Sequence, residues 1–210
     1  MKTHTLFSIF YLALFLSNLP FGYSQTSQNL LENNGFEMGD PEEIENWKSS
    51  IGFGKQLVAI STTAPHEGKR HAALSVITDD SDVCNGGPGT GPARCAVAQK
   101  TIEGSVIPGK KYTLSFNAST PEGLYQSVAP RYLVEWLDQT NKPVGSQIFT
   151  GFADQVGKDG FYNEVSFELT APPDADRANI IIDLEGGSAN NPDSQESVLY
   201  LDNISFRENP

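Results

Sequence analysis

Two charged side chains, Arg131 and Glu135, lie in a segment that alternates apolar and polar residues. In an extended strand both would point to the same face, two pleats apart. Planar polar groups at that separation can hold the vicinal hydroxyl groups of a sugar. Together with Tyr162, the pair could also act as the charge neutraliser, base and acid of a polysaccharide lyase. The alternative is an ordinary exposed ion pair, which contributes little to stability.

Sugar binding also uses aromatic faces that stack on pyranose rings. Trp136 shares its strand face with Val134, so we assign it to the core. Three aromatic residues remain as candidates for stacking: Tyr125 in the loop 121–130, Phe152 after a predicted hairpin, and Tyr162 at the start of a predicted strand. The sequence does not choose among them.

A shallow polar surface is predicted on one face of the segment 112–119. Period-two alternation directs its large apolar residues toward the core and leaves Thr113, Ser115 and Asn117 on the opposite face. These short side chains suit either solvent or the floor of a sugar groove. We expect Arg131 and Glu135 to stand beside this floor on a neighbouring strand.

Sequence motifs for catalysis are scarce. The chain has no G-x-S-x-G nucleophile elbow, and none of its many carboxylate pairs is singled out for glycoside hydrolysis. His66 and His71 do not complete a zinc site. We therefore expect a protein that binds without catalysis. A polysaccharide lyase or hydrolase on the same scaffold is the alternative.

The segment 1–24 is predicted to be a signal peptide. Lys2 precedes an almost wholly apolar run at 6–16, and Gly22 and Ser24 are small residues at the positions that signal peptidase reads. We expect the chain 25–210 to be secreted, either to the periplasm or to the extracellular space. It contains no apolar run of roughly 20 residues, the length needed to span a membrane. In an oxidising compartment, Cys84 and Cys95 are expected to form a disulfide.

The composition places the mature chain among acidic, single-domain proteins. The formal net charge of −12 argues against nucleic acid and anionic membranes as partners. The mature chain is about the size of one domain and shows no internal repeat or linker. Short alternating segments, separated by Gly, Pro, Asn and Asp clusters, predict an all-β fold, an antiparallel β-sandwich of the jelly-roll type. We expect a monomer.

Short motifs spread over most of the mature chain resemble those of the jelly-roll carbohydrate-binding modules that accompany xylanases and glucanases (families four, nine and twenty-two). They are N-x-G-F-E at 33–37, H-x-G-K at 66–69, P-G-x-x-Y-x-L-S-F at 108–116, T-A-P at 170–172 and L-D-N-I-S-F at 201–206. Within the first motif, Asn34-Gly35 predicts a turn, because both residues tolerate positive φ.

The resemblance implies a structural calcium ion, ligated by the carboxylates of Glu37 and Asp202 and by backbone carbonyl oxygens at Gly35 and near Lys69. Calcium prefers such a mixture of hard oxygen ligands; two ordinary carboxylates without a metal are the alternative. The resemblance also implies a buried Trp47. It further implies that a polysaccharide or oligosaccharide binds in a groove on the outer face of one curved sheet. A structural or adhesive surface module without a sugar ligand is the third possibility.

Overall fold

The computed structural model describes residues 27–40, 43–50, 58–63, 65–77, 94–124, 128–186 and 196–210. Regular structure in these residues is almost entirely β, with one short 3-10 helix at Ala153–Gln155. None of the helical structure in these ranges is long and apolar enough to cross a membrane. Two sheets pack face to face, accompanied by a small hairpin of β1 (Gly39–Asp40) and β2 (Glu43–Ile44). The predicted all-β sandwich is confirmed.

The front sheet is five-stranded. Its strands, in spatial order, are β3 (Lys48–Ser50), β6 (Arg94–Lys100), β12 (Arg177–Gly186), β8 (Val128–Leu137) and β9 (Pro143–Thr150). All neighbouring strands pair antiparallel.

The back sheet is six-stranded and contains both the early and the last strands. It consists of β4 (Val58–Ser61), β5 (His71–Ile77), β7 (Lys111–Thr120), β10 (Gly157–Lys158), β11 (Asn163–Thr170) and β13 (Glu196–Glu208). The last strand, β13, pairs antiparallel with β5 on one side and with β7 on the other. β7 also pairs antiparallel with β11, and the short β10 runs parallel beside the end of β7.

The core lies between the two sheets and follows the period-two pattern of the strands. On β7 every second residue from Tyr112 to Phe116 is buried, as the alternation predicted. Trp47 and Trp136 are also buried in this core, so both expectations for the tryptophans are confirmed. In each sheet, the strand residues that alternate with the buried ones face outward, and they form the two outer surfaces of the sandwich.

The segment that precedes β1 runs beside the last strand. The Asn29 side chain accepts a hydrogen bond from the backbone N–H of Phe206 at 2.9 Å and donates one to the carbonyl of Ile204 at 3.1 Å. The N–H of Ile204 also donates to the carbonyl of Asn34 at 2.9 Å. These bonds bring Glu37 close to Asp202, although the two are far apart in sequence.

The predicted sugar groove requires a correction. We expected the polar floor around Asn117 and the pair Arg131 and Glu135 to lie on neighbouring strands. Asn117 belongs to β7 in the back sheet, whereas Arg131 and Glu135 belong to β8 in the front sheet. The chain crosses from one sheet to the other between these strands, so their outward-facing residues lie on opposite sides of the molecule.

Candidate functional site

The carboxylate of Glu37 holds the second half of the loop 65–70. Its Oε1 accepts hydrogen bonds from the backbone N–H groups of Lys69 at 2.7 Å and Arg70 at 2.9 Å. Gly68 makes this approach possible: its φ is +63°, and a Cβ at this position would lie 2.1 Å from Glu37 Oε1. A side chain at Gly68 would therefore displace the carboxylate.

The carboxylate of Asp202 holds the first half of the same loop. Its Oδ2 accepts hydrogen bonds from the N–H groups of His66 and Glu67, both at 3.0 Å. Its Oδ1 accepts one from the N–H of Asn203 at 2.8 Å. Asp202 has no exposed surface, and burial raises its pKa above the usual range, against the opposing effect of the N–H donors. A nearby cation would stabilise the ionised form of this carboxylate.

The turn predicted at Asn34-Gly35 is confirmed, and the N–H of Phe36 closes it by donating to the carbonyl of Asn33 at 3.0 Å. Positive φ occurs at the two flanking residues, Asn33, at 44°, and Phe36, at 59°. This conformation is uncommon for a large side chain. The ring of Phe36 is fully buried and lies 5.2 Å from that of Trp47, between centroids. Burial of the Phe36 ring favours this backbone conformation, which places Glu37 beside the loop.

The four residues predicted to ligate calcium are brought together. An ideal Cβ at Gly35 would lie 3.4 Å from Asp202 Oδ1 and 3.9 Å from Glu37 Cγ, so Gly35 stands between the two carboxylates, and Lys69 is bonded to one of them. In the described part of the chain, no group of three or more His, Cys, Asp or Glu residues could hold a metal by side chains alone. Two carboxylates supplemented by backbone carbonyl oxygens nevertheless fit the ligand preference of calcium. Whether calcium binds remains a prediction.

A row of four charged residues crosses the outer face of the front sheet: Arg94, Asp183, Arg131 and Glu185. We call it the charged row. Asp183 is 1% exposed. Its Oδ2 lies 2.7 Å from Arg94 Nε, and its Oδ1 lies 2.8 Å from Arg131 Nε. Arg131 also forms an ion pair with Glu185. These hydrogen bonds fix two guanidinium planes against the sheet, and those that Arg131 donates to Asp183 raise the pKa of Arg131 further.

The alternative considered for Arg131 and Glu135, an ion pair between the two, is wrong. Arg131 pairs with Asp183 and Glu185 on β12, whereas Glu135 Oε2 accepts a hydrogen bond from Asn179 Nδ2 at 3.2 Å. In strand register, Asp183 lies directly opposite Arg131, and Asn179 lies directly opposite Glu135. Direct cross-strand neighbours are closer than residues two pleats apart on one strand.

An apolar strip runs across the same outer face beside the charged row. It consists of Ala98, Ile181, Leu133 and Ile148, each the cross-strand neighbour of the next. Ile148 is 64% exposed. Strands β3, β6, β12, β8 and β9 carry no aromatic residue at an outward-facing position. This face therefore combines fixed hydrogen-bonding groups with an aliphatic surface.

A cleft of about 920 Å³ opens at one end of the apolar strip. Ala98 and Ile181 belong both to the strip and to the cleft wall, and Lys48, Lys100 and Asn179 add polar groups. The cleft extends the outer face of the front sheet toward the segment that contains β1 and β2.

The remaining predicted binding residues occupy separate places. Phe152 is fully buried, with its ring 5.5 Å from that of Phe116, so its assignment as an exposed stacking wall is wrong. Tyr162 packs on the back sheet, where its ring lies 6.3 Å from that of His71. It cannot join Arg131 and Glu135 as the acid of a lyase. Asn117 faces outward on the back sheet, and Tyr125 lies outside the described residues.

The sequence reasoning missed Arg94 and Asp183. The sequence contained one signal for this pair, the period-two alternation that placed Asp183 on the polar face of its strand. The contact between the two depends on the pairing of β6 with β12, which the sequence did not reveal. For the predicted disulfide, Cys95 lies buried on β6, and Cys84 lies outside the described residues.

Comparisons with known proteins identify the architecture. No protein-family model matches the sequence, and no curated protein matches it. Among solved structures, TmCBM61 in complex with β-1,4-galactotriose is similar, with a TM-score of 0.53 and 16% identity over 87% of this chain and 100% of that one. The chain has the β-sandwich fold of carbohydrate-binding modules.

Two further structures show the same fold in larger proteins. A structure of carbohydrate-binding modules from the β-sandwich superfamily matches with a TM-score of 0.51 and 14% identity, over 86% of this chain and 61% of that one. The enzymatically active domain of tailspike protein 4 of bacteriophage CBA120 matches with a TM-score of 0.59 and 19% identity, over 86% of this chain. The present chain spans only 21% of that tailspike chain. At these identities, the similarity concerns the fold.

Proposed function

We propose that this protein binds a polysaccharide or oligosaccharide on the outer face of its front sheet. The observation that carries the proposal is the charged row beside the apolar strip. Guanidinium, carboxylate and amide groups held by hydrogen bonds can recognise hydroxyl groups without first losing much conformational entropy. The aliphatic strip can pack against the C–H face of a pyranose ring. The similarity to the fold of TmCBM61 supports this interpretation.

The dimensions of this face favour a chain over a single sugar. Adjacent strands lie about 4.8 Å apart, so a strip crossing four strands is about 14 Å long. The cleft beside Lys48 and Lys100 lengthens this surface further. We infer that an oligosaccharide lies across the strands and that its hydroxyl groups contact the charged row.

We also propose that the protein is exported and that calcium fixes the loop 65–70. The ion would be held by the carboxylates of Glu37 and Asp202 and by neighbouring backbone carbonyl oxygens. A bound calcium ion supplies positive charge that compensates the burial of Asp202. Because the two carboxylates come from opposite ends of the chain, the ion would tie the segment before β1 to the last strand.

A glycan panel tests the binding proposal. Affinity electrophoresis against soluble xylan, galactan, arabinan, mannan and mixed-linkage glucan is expected to reveal retardation by at least one of them. Glu135→Ala and Ile148→Ser should each weaken that binding by roughly 1 kcal/mol or more if they contact the ligand. Glu168→Ala is the matched control, because Glu168 is exposed on the back sheet.

Two results would contradict the proposal: no retardation by any glycan, or unchanged binding by both front-sheet variants when their melting temperatures equal that of the parent protein. Release of new reducing ends from the same glycans would favour the alternative, a lyase or hydrolase on this scaffold.

A further inference from the structure

The outer face of the back sheet contains a pocket of about 620 Å³, on the opposite side of the molecule from the charged row. Its floor is formed by β7 and β13, where Ser115 lies directly opposite Ser205. Asn117 lies on the same floor and is the cross-strand neighbour of Glu164 on β11. Arg207 borders the floor from β13. Amide, hydroxyl, carboxylate and guanidinium groups therefore surround one concave surface.

These polar groups have no partners among the described residues. The side chains of Ser115, Asn117 and Ser205 make no hydrogen bond there, and Glu164 and Arg207 form no ion pair. The charged row of the front sheet differs in this respect, because its arginines are already paired. These floor groups are free to bind a ligand. At the edge of the pocket, Thr113 Oγ1 donates to Asn209 Oδ1 at 2.7 Å, and Asn203 Nδ2 lies 3.5 Å from His66 Nδ1.

A bulge and the loop 65–70 form one wall of the pocket. The pairing of β13 with β7 shifts register between Asp202 and Ser205, and Asn203, inside the bulge, has a φ of 51°. Bulges of this kind redirect side chains. Asn203 lines the pocket together with His66, whose backbone N–H is bonded to Asp202. The carboxylate that anchors the loop therefore also fixes this wall.

An aromatic surface adjoins the same wall. The exposed His66 ring lies 5.4 Å from the half-buried ring of Tyr162, between centroids. Aromatic rings of this kind pack against the C–H faces of sugars, while amide and hydroxyl groups bond their hydroxyls. The lining of the pocket carries two carboxylates, those of Glu67 and Glu164, and one guanidinium, that of Arg207, so it has no excess positive charge to attract an anion.

We propose that this pocket is a second ligand site, which takes one or two sugar residues or a polyol of similar size. Its volume falls within the range of small-molecule sites, about 300–1,000 Å³. Its polar floor lacks the apolar surface that a protein partner would bury. The site is separate from the front-sheet face and does not depend on the function proposed for that face.

Nuclear magnetic resonance of the ¹⁵N-labelled exported protein tests the proposal. The probes are the methyl β-glycosides of galactose, glucose and xylose, added to about 50 mM because a site for one sugar has a Kd on the order of 1 mM. We expect at least one glycoside to shift the side-chain amide signals of Asn117 and Asn203 saturably. Asn117→Ala and Glu164→Gln should each weaken that binding at least about fivefold, equivalent to about 1 kcal/mol.

The matched control is Glu168→Gln, because Glu168 is exposed on the same face of β11 but does not line the pocket. This variant should bind the glycoside as the parent protein does. The proposal is overturned if no glycoside shifts the Asn117 and Asn203 signals, or if Asn117→Ala leaves the affinity unchanged. Shifts confined to Asn179, on the front sheet, would also overturn it while supporting the front-sheet function.

Discussion

Acidification is expected to destabilise the folded protein through His71, the first residue of β5. His71 has no exposed surface, and neither ring nitrogen has a hydrogen-bond partner among the described residues. Its ring lies 4.5 Å from the ring of Tyr200 and 6.3 Å from that of Tyr162, between centroids. Burial lowers the pKa of His71 from 6.5 to about 4, because the protonated imidazole would lose its hydration.

The direction of the pH effect follows from this pKa. Between about pH 6.5 and pH 4 the unfolded chain binds a proton on His71 that the folded chain does not bind. The contribution of neutral His71 to stability is therefore complete above pH 6.5 and is lost as the pH falls toward 4. The difference between the pKa of His71 in the unfolded chain, 6.5, and in the folded chain, about 4, corresponds to a loss of about 3 kcal/mol in the free energy of unfolding.

Another buried group on the neighbouring strand acts in the opposite direction. The pKa of Asp202 is raised, so its contribution to stability increases as the pH falls through its folded-state pKa. A comparison between the parent protein and a His71 variant cancels this effect, because both proteins keep Asp202.

Urea unfolding with a chelator present, at several pH values from about 7 to about 4, measures the effect of His71. The unfolding free energy of the parent protein should fall by about 3 kcal/mol more than that of His71→Phe or His71→Gln over this range. Equal pH dependence in the parent and in both variants would refute the reasoning, because it would mean that His71 is protonated in the folded state as readily as in the unfolded chain.

Three other predictions concern the loop 65–70 and the cysteines. Gly68→Ala should lower the free energy of unfolding in urea by about 2 kcal/mol or more, because a Cβ would add a clash with Glu37 to the cost of positive φ. Gly104→Ala is the control: its φ is +72° and no described residue lies within 4 Å of the added Cβ, so it should show the cost of positive φ alone. Equal losses of stability in the two variants would contradict the clash. Calcium at a hundredfold excess over its Kd should stabilise the fold by about 2.7 kcal/mol. This gain should disappear in Asp202→Asn, and a melting temperature insensitive to chelator would exclude the site. Intact mass measured without reduction should show the disulfide predicted between the two cysteines, and two free thiols after secretion would exclude it.

Local patterns in the sequence predicted much of the fold. The alternation around Tyr112 and Phe116 identified a strand and its buried face, because neighbouring side chains of an extended chain point in opposite directions. Trp136 was assigned to the core by the same pattern. The resemblance of short motifs named Glu37 and Asp202 as ligands of one ion, and in the structure both carboxylates accept hydrogen bonds from the loop 65–70.

Other features depended on contacts between distant parts of the chain. Phe152 follows a strand end and could have been exposed, but it is buried because Phe116 and Phe167 come from other strands to cover it. Arg131 could have paired along its own strand with Glu135, but the register of β12 against β8 places Asp183 directly opposite it.

The sequence by itself determined which segments are strands, which of their faces are apolar, and the acidic character of the chain, because these properties depend on residues close together along the backbone. The tertiary structure alone decided that β7 and β8 lie in different sheets, so that Asn117 and Arg131 lie on opposite sides of the sandwich. Period-two alternation states which residues share a face of one strand but carries no information about which strands pair. That choice is made by long-range packing of the two apolar faces, and it determines which polar groups form a site.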